Sequence, residues 1–209
     1  MQQSTIRFLL ISSFAALFLS SCSSALLAGF QQQTSNTKSF TSGYFANAET
    51  DYIYKAALSA YGHDLSGILI IKQIEDKAHR VVFTTEFGNR LFDFEISQDH
   101  FKVNYILEDL NRKIILKILE QDFRLMLQAD FTIDAMYADG KFNVMKSAVS
   151  DRNNYLYLRK DDGRYARLMH ATKRKEKLSI YFTSENDIFA DTILIQHADI
   201  KLRIVLNRL

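Results

Sequence analysis

The stretch Arg80-Val81-Val82-Phe83-Thr84-Thr85-Glu86-Phe87-Gly88-Asn89-Arg90-Leu91-Phe92-Asp93-Phe94-Glu95-Ile96 reads as a β-hairpin. Val81, Phe83 and Phe87 fall on one face, with Arg80, Thr84 and Glu86 on the other; after Gly88-Asn89, Phe92, Phe94 and Ile96 oppose Leu91, Asp93 and Glu95. Successive side chains of a strand point to opposite faces, so this alternation marks two half-buried strands, and Gly-Asn suits a two-residue turn. An antiparallel meander is therefore expected here.

Working outward, Ser66-Gly67 opens Ile68-Leu69-Ile70-Ile71-Lys72, a run apolar on both faces. On the other side, a turn near Gln98-Asp99 leads into Phe101, Val103 and Tyr105, alternating with Lys102 and Asn104. The period then changes. From about Asp109 to Gln128, Ile114, Ile115, Ile118, Leu119, Phe123 and Met126 form a wide apolar stripe at helical spacing. Glu108/Arg112, Asp109/Lys113 and Glu120/Arg124 stand four residues apart with opposite charge, which supports a long helix. A stripe of this width requires cover, and the flanking sheet can provide it. Ile53, Ala56, Ala57, Ala60 and Tyr61 also follow helical spacing, predicting a short amphipathic helix from Glu49 to Tyr61 with Thr50 as N-cap and Gly62 just past its end.

Strand patterns resume after the long helix at Phe142 and Val144, Tyr155 to Leu158, Tyr165 to Met169, Leu178 to Phe182, and Ile193 and Ile195, with Asp139-Gly140 and Asp161-Asp162-Gly163 as turns. Ile193 and Ile195 occupy odd positions whereas Ile200, Leu202, Ile204 and Leu206 occupy even ones, so a bulge or turn is expected at His197 to Asp199. The expected class is α+β: about nine or ten antiparallel strands in a sheet that curls, as large twisted sheets do, into an incomplete barrel around a long central helix.

The N-terminus carries a different signal. An apolar run from Phe8 to Leu19 ends at Leu19-Ser20-Ser21-Cys22, behind a thin n-region whose only basic residue is Arg7. About a dozen apolar residues are too few to span a bilayer, which takes ~20, and match the h-region of an export signal. The small residues before Cys22 resemble a lipobox, and that resemblance implies cleavage after residue 21 and acylation of the Cys22 thiol, with palmitate among the expected chains. Several chains on one residue hold a protein firmly on a membrane. Ser23 and Ser24 follow where inner-membrane lipoproteins often carry Asp, which favours the outer membrane, facing the periplasm. Residues 22–48, centred on Gln31-Gln32-Gln33-Thr34-Ser35-Asn36-Thr37, read as a flexible tether reaching ~25–30 Å by the coil relation of roughly 5–6 Å × √n. Residues 49–209 form the expected domain.

Composition narrows the function. The formal net charge of +2 falls to +1 once Arg7 is removed with the signal, so no basic excess supports nucleic-acid binding. His63, His79, His100, His170 and His197 are scattered, and only His197-Ala198-Asp199 forms a local pair, whereas metal sites usually use three or four ligands. Asp93 and Glu95 share a strand face and have the chemistry of paired acid–base carboxylates, though a solvated face accounts for them better. No nucleophile elbow occurs and the sole cysteine is assigned to the anchor. No catalytic residue, metal or cofactor is expected, and the chain is not read as an enzyme.

The order of elements resembles the Lol family of lipoprotein carriers and receptors (LolA/LolB-like) over about residues 50 to 209. The resemblance rests on a short helix, a meander from Gly67 to Tyr105 with Phe87-Gly88-Asn89 at a turn, a central helix, and a strand-rich tail ending Ile200-Lys201-Leu202-Arg203-Ile204. It implies an open barrel whose helices lid an apolar cavity, holding acyl chains of lipid or lipoprotein for transport or outer-membrane insertion. Such a cavity takes aliphatic and aromatic lining; the candidates are Phe83, Phe92, Phe94, Phe101, Phe123, Met126, Tyr157 and Phe182. The other reading is an assembly lipoprotein with a filled core that acts as an interaction module. The basic run Lys173-Arg174-Lys175-Glu176-Lys177, with Arg164 and Arg167, is either a contact for an anionic lipid or acidic partner or a charged hairpin tip.

Overall fold

Strand alternation dominates the computed structural model, which describes residues 25–60, 62–149, 152–172 and 175–209. The segment expected to be an export signal and Cys22 lie outside the described residues. The strands in chain order are β1 (Gln31–Gln33), β2 (Ser39–Thr41), β3 (Asp51–Ala60), β4 (His63–Glu75), β5 (Ala78–Thr84), β6 (Arg90–Ile96) and β7 (Phe101–Ile106). Helix α1 (Lys113–Leu127) follows, then β8 (Asp130–Thr132), β9 (Ala135–Ala138), β10 (Phe142–Val149), β11 (Arg152–Arg159), β12 (Tyr165–Thr172), β13 (Lys175–Thr183), β14 (Thr192–His197) and β15 (Leu202–Arg208). Thirteen of them build one antiparallel sheet in the order β1-β9-β10-β11-β12-β13-β14-β15-β3-β4-β5-β6-β7, while β2 and β8 form a separate ribbon. Strands β1 and β7 remain its edges, so the barrel is incomplete.

The concave face carries the core. Tyr52 and Tyr54 of β3, Leu69 and Ile71 of β4, Val81 and Phe83 of β5, Phe92 and Phe94 of β6, Ile193 and Ile195 of β14, and Ile204 and Leu206 of β15 are all buried. Helix α1 covers this face with Leu119, Phe123 and Met126. Each such side chain contributes about 1.5–3 kcal/mol through removal of apolar area from water. Gly67 has no room for a side chain, since a Cβ there would stand 1.9 Å from the carbonyl oxygen of Thr84. A smaller apolar cluster lies elsewhere, where Leu27, with Leu26 and Phe30 beside it, packs against Val144, Tyr155, Tyr157 and Met169.

Four expectations are corrected. The segment expected to be a short helix is the ten-residue strand β3, in which Tyr52, Tyr54, Ala56 and Leu58 are buried and the alternate residues exposed. Its sequence satisfies both periods, and pairing on both sides, with β15 and β4, decides for the strand. Gly62, at φ +87°, belongs to the connection between the paired residues Ala60 and His63. The central helix has 15 residues rather than twenty; Glu108–Leu110 form a separate 3-10 turn, and Arg112 precedes α1 in an extended conformation. The Glu108/Arg112 and Asp109/Lys113 pairs therefore do not lie along one helix, whereas Glu120 and Arg124 do pair, at 2.6 Å. The β5–β6 connection runs over five residues, because Thr84 pairs with Arg90, and Phe87 at its tip is 94 % exposed instead of facing the core.

The fourth correction concerns the tether. Gln31–Gln33 pair with β9, Ser39–Thr41 pair with β8, and Tyr44 and Phe45 are core residues. Phe45 packs edge-on against Tyr52, and Tyr44 packs against Phe182 while its hydroxyl donates to the carbonyl of Tyr165 at 3.1 Å. The aromatic side chains at positions 40, 44 and 45 give a polar-looking segment enough apolar area to dock. The register change near residue 197 is a four-residue connection between β14 and β15, after which Ile204 faces Ile195 and Leu206 faces Ile193.

Candidate functional site

One row across the concave face carries four polar side chains and Leu178. Ser147 of β10 pairs with Asn154 of β11, Asn154 with His170 of β12, His170 with Leu178 of β13, and Leu178 with His197 of β14. Alternation places all five on the same face as the core. Ser147, Asn154 and His170 are each more than nine-tenths buried. Asp122 of α1, fully buried, reaches the end of this row, with its Oδ2 2.9 Å from Nε2 of His197. Its other oxygen, Oδ1, is buried without a hydrogen-bond partner. Burial raises the Asp122 carboxyl above the usual carboxylate range, and the His197 hydrogen bond opposes that shift.

The His170 ring is held by Asn154, with Nδ1 2.7 Å from Oδ1. A carbonyl oxygen only accepts, so Nδ1 carries the proton in this arrangement and the neutral ring keeps Nε2 as an acceptor. Burial, and secondarily the charge of Arg152, pushes the His170 pKa below its ordinary value. Between this polar wall and α1 lies a cavity of about 360 Å³, reached by Lys117, Glu120, Gln121, Arg124 and Leu125 of the helix, by Gln128 just past its end, and by Arg152, Asn154 and His170 of the sheet. Arg124 joins the helix to the β6–β7 turn, donating to the carbonyl of Ser97 while it pairs with Glu120.

The expected cavity-lining residues separate into groups. Phe83, Phe92, Phe94 and Phe123 are fully buried against one another, with ring centroids 4.5 Å apart for Phe92 and Phe94 and 5.8 Å for Phe92 and Phe123. Phe101 and Met126 pack on the same cluster, and Phe182 packs at its far end against Tyr44 and Tyr165. Tyr157 is elsewhere: its ring meets Phe30 and Phe142 in the smaller cluster. None of the eight lines the 360 Å³ cavity.

The basic residues are mostly paired. Lys175 and Lys177 both hold Asp199, at 2.7 and 2.6 Å, and Arg167 pairs with Glu176 at 3.1 Å while lying over the rings of Tyr157 and Tyr181. Arg164 pairs with Asp162. Lys173 and Arg174 lie outside the described residues. Asp93, expected on a solvated face, is 1 % exposed and takes two hydrogen bonds from Arg80, at 2.9 and 2.6 Å, whereas Glu95 pairs with Lys102. Among the described residues no cluster of three or more potential ligands can hold a metal ion, and no helix is long and apolar enough to cross a membrane.

A LolA superfamily protein from Nitrosomonas europaea superposes on 84 % of this chain and 86 % of its own, with a TM-score of 0.52 at 10 % identity. The chain has a LolA-like fold. A DUF1329 family protein from Desulfovibrio piger (TM-score 0.44, 9 % identity, 76 % of this chain and 83 % of that one) is also similar. So is a candidate outer membrane lipoprotein-sorting protein domain from Vibrio parahaemolyticus (TM-score 0.42, 8 % identity, 76 % and 82 %). No family model and no curated protein sequence matches the chain.

The polar row could not be seen in the sequence. Asn154, His170 and His197 are distant along the chain, and strand pairing alone brings them into line.

Proposed function

We propose that the protein is an envelope lipoprotein, anchored to the outer membrane by an acylated Cys22, that holds acyl chains of lipid or lipoprotein beneath α1 for transport or insertion. The observation that carries this reading is a concave apolar sheet of LolA-like fold covered by a single 15-residue helix, with a cavity along one side of that helix. Chains would enter at this side, and outward movement of Leu119, Phe123 and Met126 would present the apolar wall to them. Burial of apolar carbon would drive binding at about 0.8 kcal/mol per CH₂. The reading assigns the chain no bond chemistry.

The mutual packing of Phe83, Phe92, Phe94 and Phe123 favours a second reading, an interaction module with a filled core. Native mass spectrometry of the purified protein, with lipid extraction, separates the two. Stoichiometric lipid or acylpeptide is the expected result; an apo mass that takes up no fluorescent fatty acid would leave the interaction module.

A further inference from the structure

The cavity beside α1 is lined by side chains that carry polar or charged ends, Leu125 excepted, where an acyl pocket needs no such groups. Its sheet wall consists of Asn154 and His170, both more than nine-tenths buried and bonded to each other. Its rim carries four charged side chains, and two of these, Arg124 and Glu120, neutralise each other at 2.6 Å. Lys117 and Arg152 remain, exposed and without an ion-pair partner among the described residues. The site therefore combines two uncompensated cations from opposite walls with an amide and an imidazole at its floor. Apolar ligands gain nothing from such groups, whereas a phosphoryl ester uses all of them: oxygens for the cations and the Asn154 amide, and an adjoining hydroxyl for His170.

We propose that this cavity is a phosphate-recognising head-group site, so that the ligand held beneath α1 is an anionic phosphoryl amphiphile. This rests on the acyl-binding reading for the chains but not for the head. Lys117 and Arg152 supply the charge and Asn154 with His170 fixes the orientation of the ester. At about 360 Å³ the cavity accommodates a glycerophosphate head without the chains.

The test uses the full chain in phosphatidylcholine nanodiscs, with empty nanodiscs as control, titrated calorimetrically with glycerol 3-phosphate, dihexanoyl phosphatidic acid and dihexanoylglycerol. The expected result is binding of both phosphate probes, tighter for phosphatidic acid, and a loss of at least about tenfold in the Lys117→Ala/Arg152→Ala variant. Binding of glycerol 3-phosphate with no gain from the chains would support the phosphate site while removing the acyl reading. Equal binding of dihexanoylglycerol and phosphatidic acid, unaffected by the double substitution, would overturn the phosphate site and leave the acyl reading standing. No binding by any probe would overturn both.

Discussion

His197 Nε2 lies 2.9 Å from Asp122 Oδ2, and this contact joins the helix that covers the barrel to the end of strand β14. Asp122 is fully buried and its second oxygen has no partner, so its proton uptake differs between folded and unfolded chains. Burial raises the folded pKa above the ordinary 3.8, which means the folded state binds the proton more tightly. Stability from this group is thus greatest below the unfolded pKa and declines as pH rises through the folded one. Asp122→Asn should flatten that decline, with a difference of roughly 1–3 kcal/mol relative to wild type between acid and neutral pH, read from denaturant unfolding across pH 4 to 8. An unchanged profile would show that Asp122 titrates as it does in the unfolded chain.

Asp93 has the opposite sign. The Arg80 hydrogen bonds hold its carboxyl below the ordinary carboxylate range despite burial, so its contribution is present at neutral pH and lost as pH falls through the lowered folded pKa. Arg80 is half exposed, which screens the pair. Arg80→Ala should cost about 1–3 kcal/mol at pH 7 because it leaves a buried acceptor short of two donors, and the loss should shrink in strong acid. Unfolding midpoints at the two pH values provide the check.

Phe123 is fully enclosed by the aromatic cluster of the sheet. Phe123→Ala should destabilise the fold by about 3–5 kcal/mol, the usual cost of removing a buried aromatic side chain. On the acyl-binding reading it should also increase uptake of a fluorescent fatty acid, since the space vacated lies under α1. Destabilisation without added uptake would favour the interaction module.

Gly67 should tolerate no side chain. Its hypothetical Cβ would also stand 2.9 Å from the Thr84 carbonyl carbon, in the backbone of the paired strand β5. Gly67→Ala is expected to cost at least about 1–3 kcal/mol by overpacking, measured by thermal unfolding. A neutral effect would mean that the two strands separate readily at this point.

Cys22→Ser should release the protein from membranes if the thiol carries the anchor. Fractionation followed by immunoblotting tests this, and quantitative retention in the outer-membrane fraction would refute the anchor.

Local patterning was enough to place strands β5 and β6 and most strands after α1, because apolar residues in alternation or in short runs beside turn residues mark them, even where both faces are buried, as in β6 and β11. The same patterning misassigned β3. Three of the four helix-spaced residues that lie in it are alanine, which fits either state, and only the neighbours β15 and β4, distant or returning along the chain, settle its conformation. The segment from residue 31 to 45 read as a tether because sparse aromatic residues among Gln, Ser and Thr carry no period. Tyr44 and Phe45 become core residues only where the barrel end offers Tyr52, Tyr165 and Phe182.

By itself the sequence determined an antiparallel sheet that curls and the amphipathic helix near residues 113–127 that covers it. These follow from local periodicity and short-range spacing, which the chain carries whatever its tertiary contacts. The tertiary structure alone decided that the aromatic candidates pack mainly on one another, that Tyr157 belongs to a different cluster, and that Asn154, His170, His197 and Asp122 converge under the helix. Cross-strand register and helix docking align residues tens of positions apart, and no periodicity in the sequence records such alignment.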